Sequence, residues 1–292
     1  MLAPMRYRMA KRKAETFLAD RGIASLPVDP IALAESLDIV VEPKPDTVGG
    51  VSGMLVRHQD IFGIMYATHI NNEGFQRFSI AHEIGHYVLD GHVDHIFPSG
   101  DGLHTSEAGF VSGDRFELEA DHFAAGLLMP EPHFSREVLR FGDGLEAVEG
   151  MARKCRTSLT ATAIRYAETA SVPVAVVMST GGTVDYCFMS KSIRDFDGLE
   201  WLRKGQPLPA GVETDLFNRD PANVLRTRRS HAETDLRDWF GGPRSMPGTE
   251  VMIGLGRYGK TLTILSSNLF ADDEPDEEYE DMEKRWTARF RR

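Results

Sequence analysis

The stretch from Phe75 to Leu89 constrains this chain more than any other. Phe78, Ile80, Ala81, Ile84, Val88 and Leu89 cover so much of a helical surface that the spacing predicts a largely buried helix. Yet the same stretch holds His82, Glu83 and His86 in the order His-Glu-x-x-His. Residues four apart share a helix face, so both imidazoles can reach one Zn²⁺, with Glu83 beside them as a base for an attacking water. Burying three such groups without partners would cost at least about 2 kcal/mol each. A pair of hydrogen-bonded core histidines with a satisfied Glu is the alternative, and a metal accounts for the three groups better.

A catalytic zinc usually has three protein ligands and one open position. His92 stands ten residues after His82, but that arrangement needs a glycine at 89, and Leu89 is there. A later helix, Phe116–Met129, carries Glu117-Leu118-Glu119-Ala120-Asp121. The Glu-x-x-x-Asp pattern favours Glu117 as the third ligand, with Asp121 one turn on accepting a hydrogen bond from a ligand imidazole. Glu119 and His122 remain as further choices. Ala120 and Ala124 would let the two helices approach closely.

Around these helices the pattern is mixed. Ala10–Asp20 and Ile31–Leu37 are helical in spacing, Ile39–Val41 is strand-like, and Met54–Arg57 with Ile61–Ala67 read as a hairpin after the Gly49–Gly50 turn. Gly91–Gly113, rich in Gly, His, Ser and Asp, reads as a loop. Leu145–Lys154 and Ser158–Ala167 form a helix–turn–helix pair. After Pro173 the character changes: Val174–Met178, Val184–Met189, Val251–Leu255 and Thr261–Leu265 are strand-like and the intervening sequence is loop-rich. The expected class is α+β, divided into 1–140, a helix–turn–helix-like segment 141–170, and a regulatory or sensor-like domain 171–292.

Lys+Arg 33 against Asp+Glu 44 leaves a net charge of −11, which argues against a surface built to grip nucleic acid. Arg153, Lys154, Arg156 and Arg165 make the helix pair locally basic, but two packing helices with a solvated basic face explain them. Arg226, Arg228 and Arg229 cluster in an expected loop. Asp272–Glu283 holds nine acidic side chains and Lys284–Arg292 five basic ones, an expected solvated tail or last helix. Cys155 and Cys187 are too few for a disulfide scaffold and read as buried fillers. No apolar stretch is long enough for a membrane span, and the basic start at Met1–Lys13 leads into a helix, so a cytoplasmic protein is expected.

The run Arg77-Phe78-Ser79-Ile80-Ala81-His82-Glu83-Ile84-Gly85-His86-Tyr87, with Glu117-Leu118-Glu119-Ala120-Asp121-His122-Phe123-Ala124-Ala125-Gly126-Leu127-Leu128-Met129-Pro130, resembles the ImmA/IrrE family of bacterial metallo-endopeptidases. Leu26-Pro27-Val28-Asp29-Pro30 and Ser158–Arg165 are similar to that family too, so the likeness spans roughly residues 10–170. It implies a zincin-like peptidase domain, zinc held by His82, His86 and Glu117, and Glu83 as general base. It also implies cleavage of a protein substrate, a helix–turn–helix repressor of the XRE type, which switches on stress or mobile-element genes. In one branch the C-terminal part is a GAF-like sensor. The competing function is a non-proteolytic regulator, stabilised by its metal, that binds DNA or a protein partner. For a peptidase, a donor to the developing oxyanion is also expected. Tyr87, His122, Tyr166 and Arg165 are the choices, and Ile61–Ala67 is either a strand that offers its edge to an extended substrate or an ordinary core strand.

Overall fold

The computed structural model describes residues 3–44, 51–106 and 113–270. The acidic and basic run after Asp272 and the Gly49–Gly50 turn lie outside the described residues. The chain divides into two compact units, Met1–Thr169 and Ala170–Arg292. It is mixed α+β in both. No helix among the described residues is long and apolar enough to cross a membrane.

The first unit opens with α1 (Ala3–Asp20) and α2 (Pro30–Glu35), followed by β1 (Val40–Pro43), β2 (Gly53–His58) and β3 (Ile61–Tyr66). Then come α3 (Glu73–Val88), α4 (His92–Ile96), β4 (Gly102–Ser106), α5 (Arg115–Leu128), α6 (Glu131–Val138), α7 (Gly144–Cys155) and α8 (Leu159–Thr169). The sheet order is β1-β3-β2-β4, with β1 parallel to β3 and the other pairs antiparallel. Helix α3 packs on β2 and β3 and against α5, which in turn packs on α1. Sandwiched between layers, α3 buries residues on nearly every side. That is why its sequence is apolar all round rather than along one stripe.

Two side-chain caps fix where these helices begin. The Asn72 side chain accepts from the Phe75 amide at 3.1 Å to start α3. The Asp114 carboxylate accepts from Phe116 and Glu117 at 2.7 and 3.3 Å to start α5. Each such cap is worth about 1 kcal/mol, and the second puts Glu117 in the first turn of its helix. At the other end of α5, Arg165 of α8 is buried. It donates to the Met129 carbonyl at 2.9 Å and pairs with Glu15 at 3.1 Å and Glu168 at 3.4 Å. Arg165 therefore belongs to an internal ion network and not to a basic outer face. Arg156, in the left-handed region at the end of α7, pairs with Glu73.

Two expectations are corrected here. Ile61–Ala67 is not an edge: β3 is paired on both sides, with β1 and β2. Among the described residues β4 is an edge strand, and its His104 meets Glu117 of α5. Gly91–Gly113 is not wholly loop, because it contains α4 and β4. The short strand pairs Gly53–Arg57 with Gly102–Ser106 through backbone groups, which its Gly/His/Thr/Ser side chains do not announce.

The second unit holds β5 (Val174–Thr180), β6 (Thr183–Met189), α9 (Lys191–Arg194), α10 (Glu213–Asn218), α11 (Pro221–Leu225), β7 (Arg229–Asp235), α12 (Leu236–Phe240), β8 (Pro247–Gly254) and β9 (Thr261–Ser267). Its sheet is antiparallel throughout, in the order β6-β5-β9-β8-β7. Ala175, Val177, Cys187, Leu265, Trp239 and Phe240 belong to one core cluster. Buried Glu250 stays satisfied inside it, accepting from the Thr214 amide and hydroxyl at 2.6 Å each and from the Trp239 indole at 3.1 Å. Arg229 begins β7 and so is not in a loop.

Candidate metal centre

One turn of α3 separates His82 from His86, and both are fully buried. Their Nε2 atoms face each other at 3.0 Å. From α5, Glu117 places Oε2 3.3 Å from His82 Nε2 and Oε1 3.2 Å from His86 Nε2. One ligand atom from each of the three residues lies within 4.8 Å of the others. Behind His82, Nδ1 sits 2.8 Å from the Asp121 carboxylate, so Nδ1 carries the proton and Nε2 presents its lone pair. Two imidazole lone pairs and a carboxylate pointed at one small space repel one another unless a cation lies among them. Nitrogen and oxygen donors of this kind suit Zn²⁺. The donor set therefore fits a metal, and His82, His86 and Glu117 would hold it.

Without a metal, a proton on His82 takes the cation's place. Burial opposes a charge on His82, but the carboxylates of Asp121 and Glu117 outweigh it and raise its pKa. Burial pushes His86 down, to about 3, and its hydrogen bond to Glu117 only partly offsets this. The pair thus favours one positive charge rather than two. Burial also opposes ionisation of Glu117, but hydrogen bonds from His104, His82 and His86 hold its carboxyl well below the usual range.

Glu83 is fully buried, and among the described residues neither of its oxygens makes a well-formed hydrogen bond, Ser106 being the polar side chain beside it. Burial pushes its pKa up to about 7, against the opposing charges of His82 and His104. A carboxylate poised near neutrality suits proton transfer. Room for it comes from Gly53 at the start of β2: a Cβ there would lie 2.6 Å from Glu83 Oε1.

His104 on β4 is the residue that sequence reasoning missed. Its Nε2 lies 3.0 Å from Glu117 Oε1, and its ring centroid lies 4.8 Å from that of His86. A cleft of about 630 Å³ opens there, lined by His104, Thr105, Ser106, Glu117, His95 and Val51 among others. The four residues considered as oxyanion donors are placed elsewhere. Tyr87 packs edge-on to Phe62, His122 stacks on Tyr7, the Tyr166 hydroxyl accepts from the Gly144 amide, and Arg165 is in its ion network. The only local signal for His104 was a histidine in a polar stretch, too weak without the β2–β4 register. Of the other third-ligand choices, His92 is buried behind His86 and Glu119 contacts His92, neither pointing at the shared space between His82, His86 and Glu117.

Two histidines one helical turn apart with an acid from the next long helix make a candidate metal centre. Residues 34–166 match the family described as IrrE N-terminal-like domain, a peptidase family. The radiation response metalloprotease IrrE of Deinococcus radiodurans is 34% identical over 102 residues, which are 35% of this chain and 29% of that protein. The matched segment thus spans under a third of the relative's length. A Mycobacterium tuberculosis transcriptional regulator shares the fold over 88% of this chain and 76% of its own, with a TM-score of 0.54 and 17% identity. The N-terminal unit is thus similar to IrrE-type metalloproteases.

Proposed function

We propose that this protein is a zinc-dependent endopeptidase that hydrolyses a peptide bond in a protein substrate, a helix–turn–helix repressor of the XRE type. The observation that carries the reading is the convergence of His82, His86 and Glu117 beside the fully buried Glu83 carboxylate. On this reading the first unit is a zincin-like peptidase domain. When bound, zinc supplies Lewis acidity toward the scissile carbonyl. Glu83 takes a proton from the attacking water and later delivers it to the leaving amine nitrogen, so one water is consumed and an acid and an amine are released. Asp121 keeps the His82 proton on Nδ1. His104, facing the cleft, holds Glu117 through Nε2 and, with both ring nitrogens protonated, would donate the other N–H to the carbonyl oxygen as charge develops there. Strand β4, with β2 on one side, offers its other edge to an extended substrate, whose main chain would pair along it.

A repressor as substrate is what the resemblance to this peptidase family implies, and the relative described as a radiation response metalloprotease fits a stress role. Cleavage would then derepress stress or mobile-element genes, in the cytoplasm. The five-stranded antiparallel sheet of the second unit is compatible with a GAF-like sensor that governs the first. The test is to incubate zinc-loaded protein with candidate repressors from its own genome and weigh the fragments. Discrete fragments with the native chain and none with Glu83→Gln support the peptidase. Equal cutting by both, or selective DNA binding that survives metal removal with no cutting, supports the non-proteolytic regulator instead.

A further inference from the structure

His92 is the buried histidine that the proposed chemistry leaves unused. Helix α3 ends at Val88 and Leu89 turns extended. Gly91 then takes a φ of +79°, which favours glycine, and reverses the chain into α4. The reversal brings His92 back beneath α3 with no solvent exposure. Its Nδ1 lies 3.2 Å from His86 Nδ1, and its Nε2 lies 3.3 Å from Glu119 Oε2. Phe116 closes the ring's face edge-on at 5.0 Å. Glu119 is itself held from outside by Arg6 at 3.5 Å and Arg115 at 3.7 Å.

We propose that Glu119, acting through His92, positions His86 and selects the nitrogen it offers to the metal. The logic is one of donors and acceptors. A carboxylate beside His92 Nε2 requires a proton on that nitrogen. In a neutral ring, His92 Nδ1 is then an acceptor. His86 Nδ1, which faces it, must donate. His86 Nε2 is left with its lone pair, and that is the atom aimed at His82 Nε2 and Glu117. Reversing any one proton leaves two donors or two acceptors opposed in a buried place, which costs about 1–3 kcal/mol. The two ligand imidazoles are thus oriented by two different devices: Asp121 bonds His82 directly, whereas Glu119 acts on His86 through an intervening imidazole. Both carboxylates come from the helix that supplies Glu117, so one element carries a ligand and both orienting acids.

This inference rests on the metal-binding reading of His82, His86 and Glu117, and the experiment separates the two. Full-length wild type, His92→Phe, His92→Gln and Glu119→Gln are compared by three measurements: zinc affinity by competition with a chromophoric chelator, the visible spectrum of the Co²⁺-substituted protein, and melting of the metal-free protein. Loss of such an outer hydrogen bond weakens metal binding by about 10- to 100-fold, which is the loss expected for His92→Phe, with altered Co²⁺ bands. His92→Gln should restore most of the affinity, because its amide oxygen can accept from His86 while its N–H donates to Glu119. Glu119→Gln, which keeps the shape and removes the charge, should weaken zinc binding less than His92→Phe. If His92→Phe does not fold, a weakened Glu119→Gln beside a normal His92→Gln supports the relay. Wild-type affinity and spectrum in both His92→Phe and Glu119→Gln, or a His92→Gln as weak as His92→Phe, overturn it. A wild-type chain that holds no zinc overturns instead the reading beneath it.

Discussion

Replacing Gly53 by Ala should disable the chemistry while sparing the metal. Gly53 pairs with Tyr66 on one side and Ser106 on the other, and its added methyl would lie 2.6 Å from Glu83 Oε1 and 3.3 Å from Cγ and Cδ. Ordinary carbon–oxygen contacts begin at about 3.3 Å, so the carboxylate must retreat by about 0.7 Å. Overpacking of this size costs about 1–3 kcal/mol, and roughly 0.5–1 kcal/mol returns because Gly is the poorer strand residue. The net loss of stability should therefore stay near 1 kcal/mol. Misplacing a reacting group by about 1 Å costs about 100-fold in rate, so cleavage should fall far more than stability. Gly63→Ala is the control, since its methyl would meet only the Val40 carbonyl at 3.7 Å, an ordinary contact. The assay is fragment formation from the same repressor, run beside zinc affinity and thermal melting. Wild-type turnover by Gly53→Ala, or loss of zinc in step with activity, would refute the argument that Gly53 exists to seat Glu83.

Three further outcomes follow from the same geometry. The pKa of Glu83 is raised in the folded state from 4.5 to about 7, so the folded protein holds more protons than the unfolded one across that window. This group's contribution to stability therefore falls as pH rises from about 4.5 to about 7. Metal-free Glu83→Gln should gain on wild type in melting over that range and keep a constant lead above it, and parallel melting curves would contradict the burial of the charge. Arg165→Met leaves Glu168 to Lys11 and Glu15 to the Glu131 amide, and should cost about 1–3 kcal/mol, read by chemical denaturation; an unchanged midpoint would show that the network contributes little. His104→Phe removes a hydrogen bond to the ligand Glu117 and should weaken zinc about 10- to 100-fold, and at saturating zinc it should still lose turnover by about 100-fold, the size expected for one oxyanion donor; full activity would remove His104 from the mechanism.

The parts of this structure legible in the sequence are those written locally. Helices α3 and α5 announce themselves because a buried helix must be apolar on most sides, and three polar residues within such a helix call for a shared partner. The spacing of His82 and His86 is set by the helix alone. What was hidden depends on pairing between distant segments. Strand β4 carries Gly102, His104, Thr105 and Ser106, with no apolar alternation, and its register with β2 decides that His104 reaches Glu117. Strand β7 reads Arg-Ser-His-Ala-Glu-Thr-Asp and is mostly exposed, so no period-two pattern marks it. The edge position was misassigned to β3 for the same reason, since strand order follows from tertiary pairing. His92 was visible as a possible ligand ten residues after His82, but the turn at Gly91 sets it one ring behind the centre.

The central claim is that one divalent cation is held jointly by α3 and α5, and zinc stoichiometry tests it most directly. Purified wild type and the single variants His82→Ala, His86→Ala and Glu117→Ala would be loaded, desalted and analysed by atomic emission, with circular dichroism to verify folding. The account predicts one zinc per folded wild-type chain and a large loss of it in each folded variant. A folded wild-type chain without zinc, or three variants that keep a full equivalent, would contradict it.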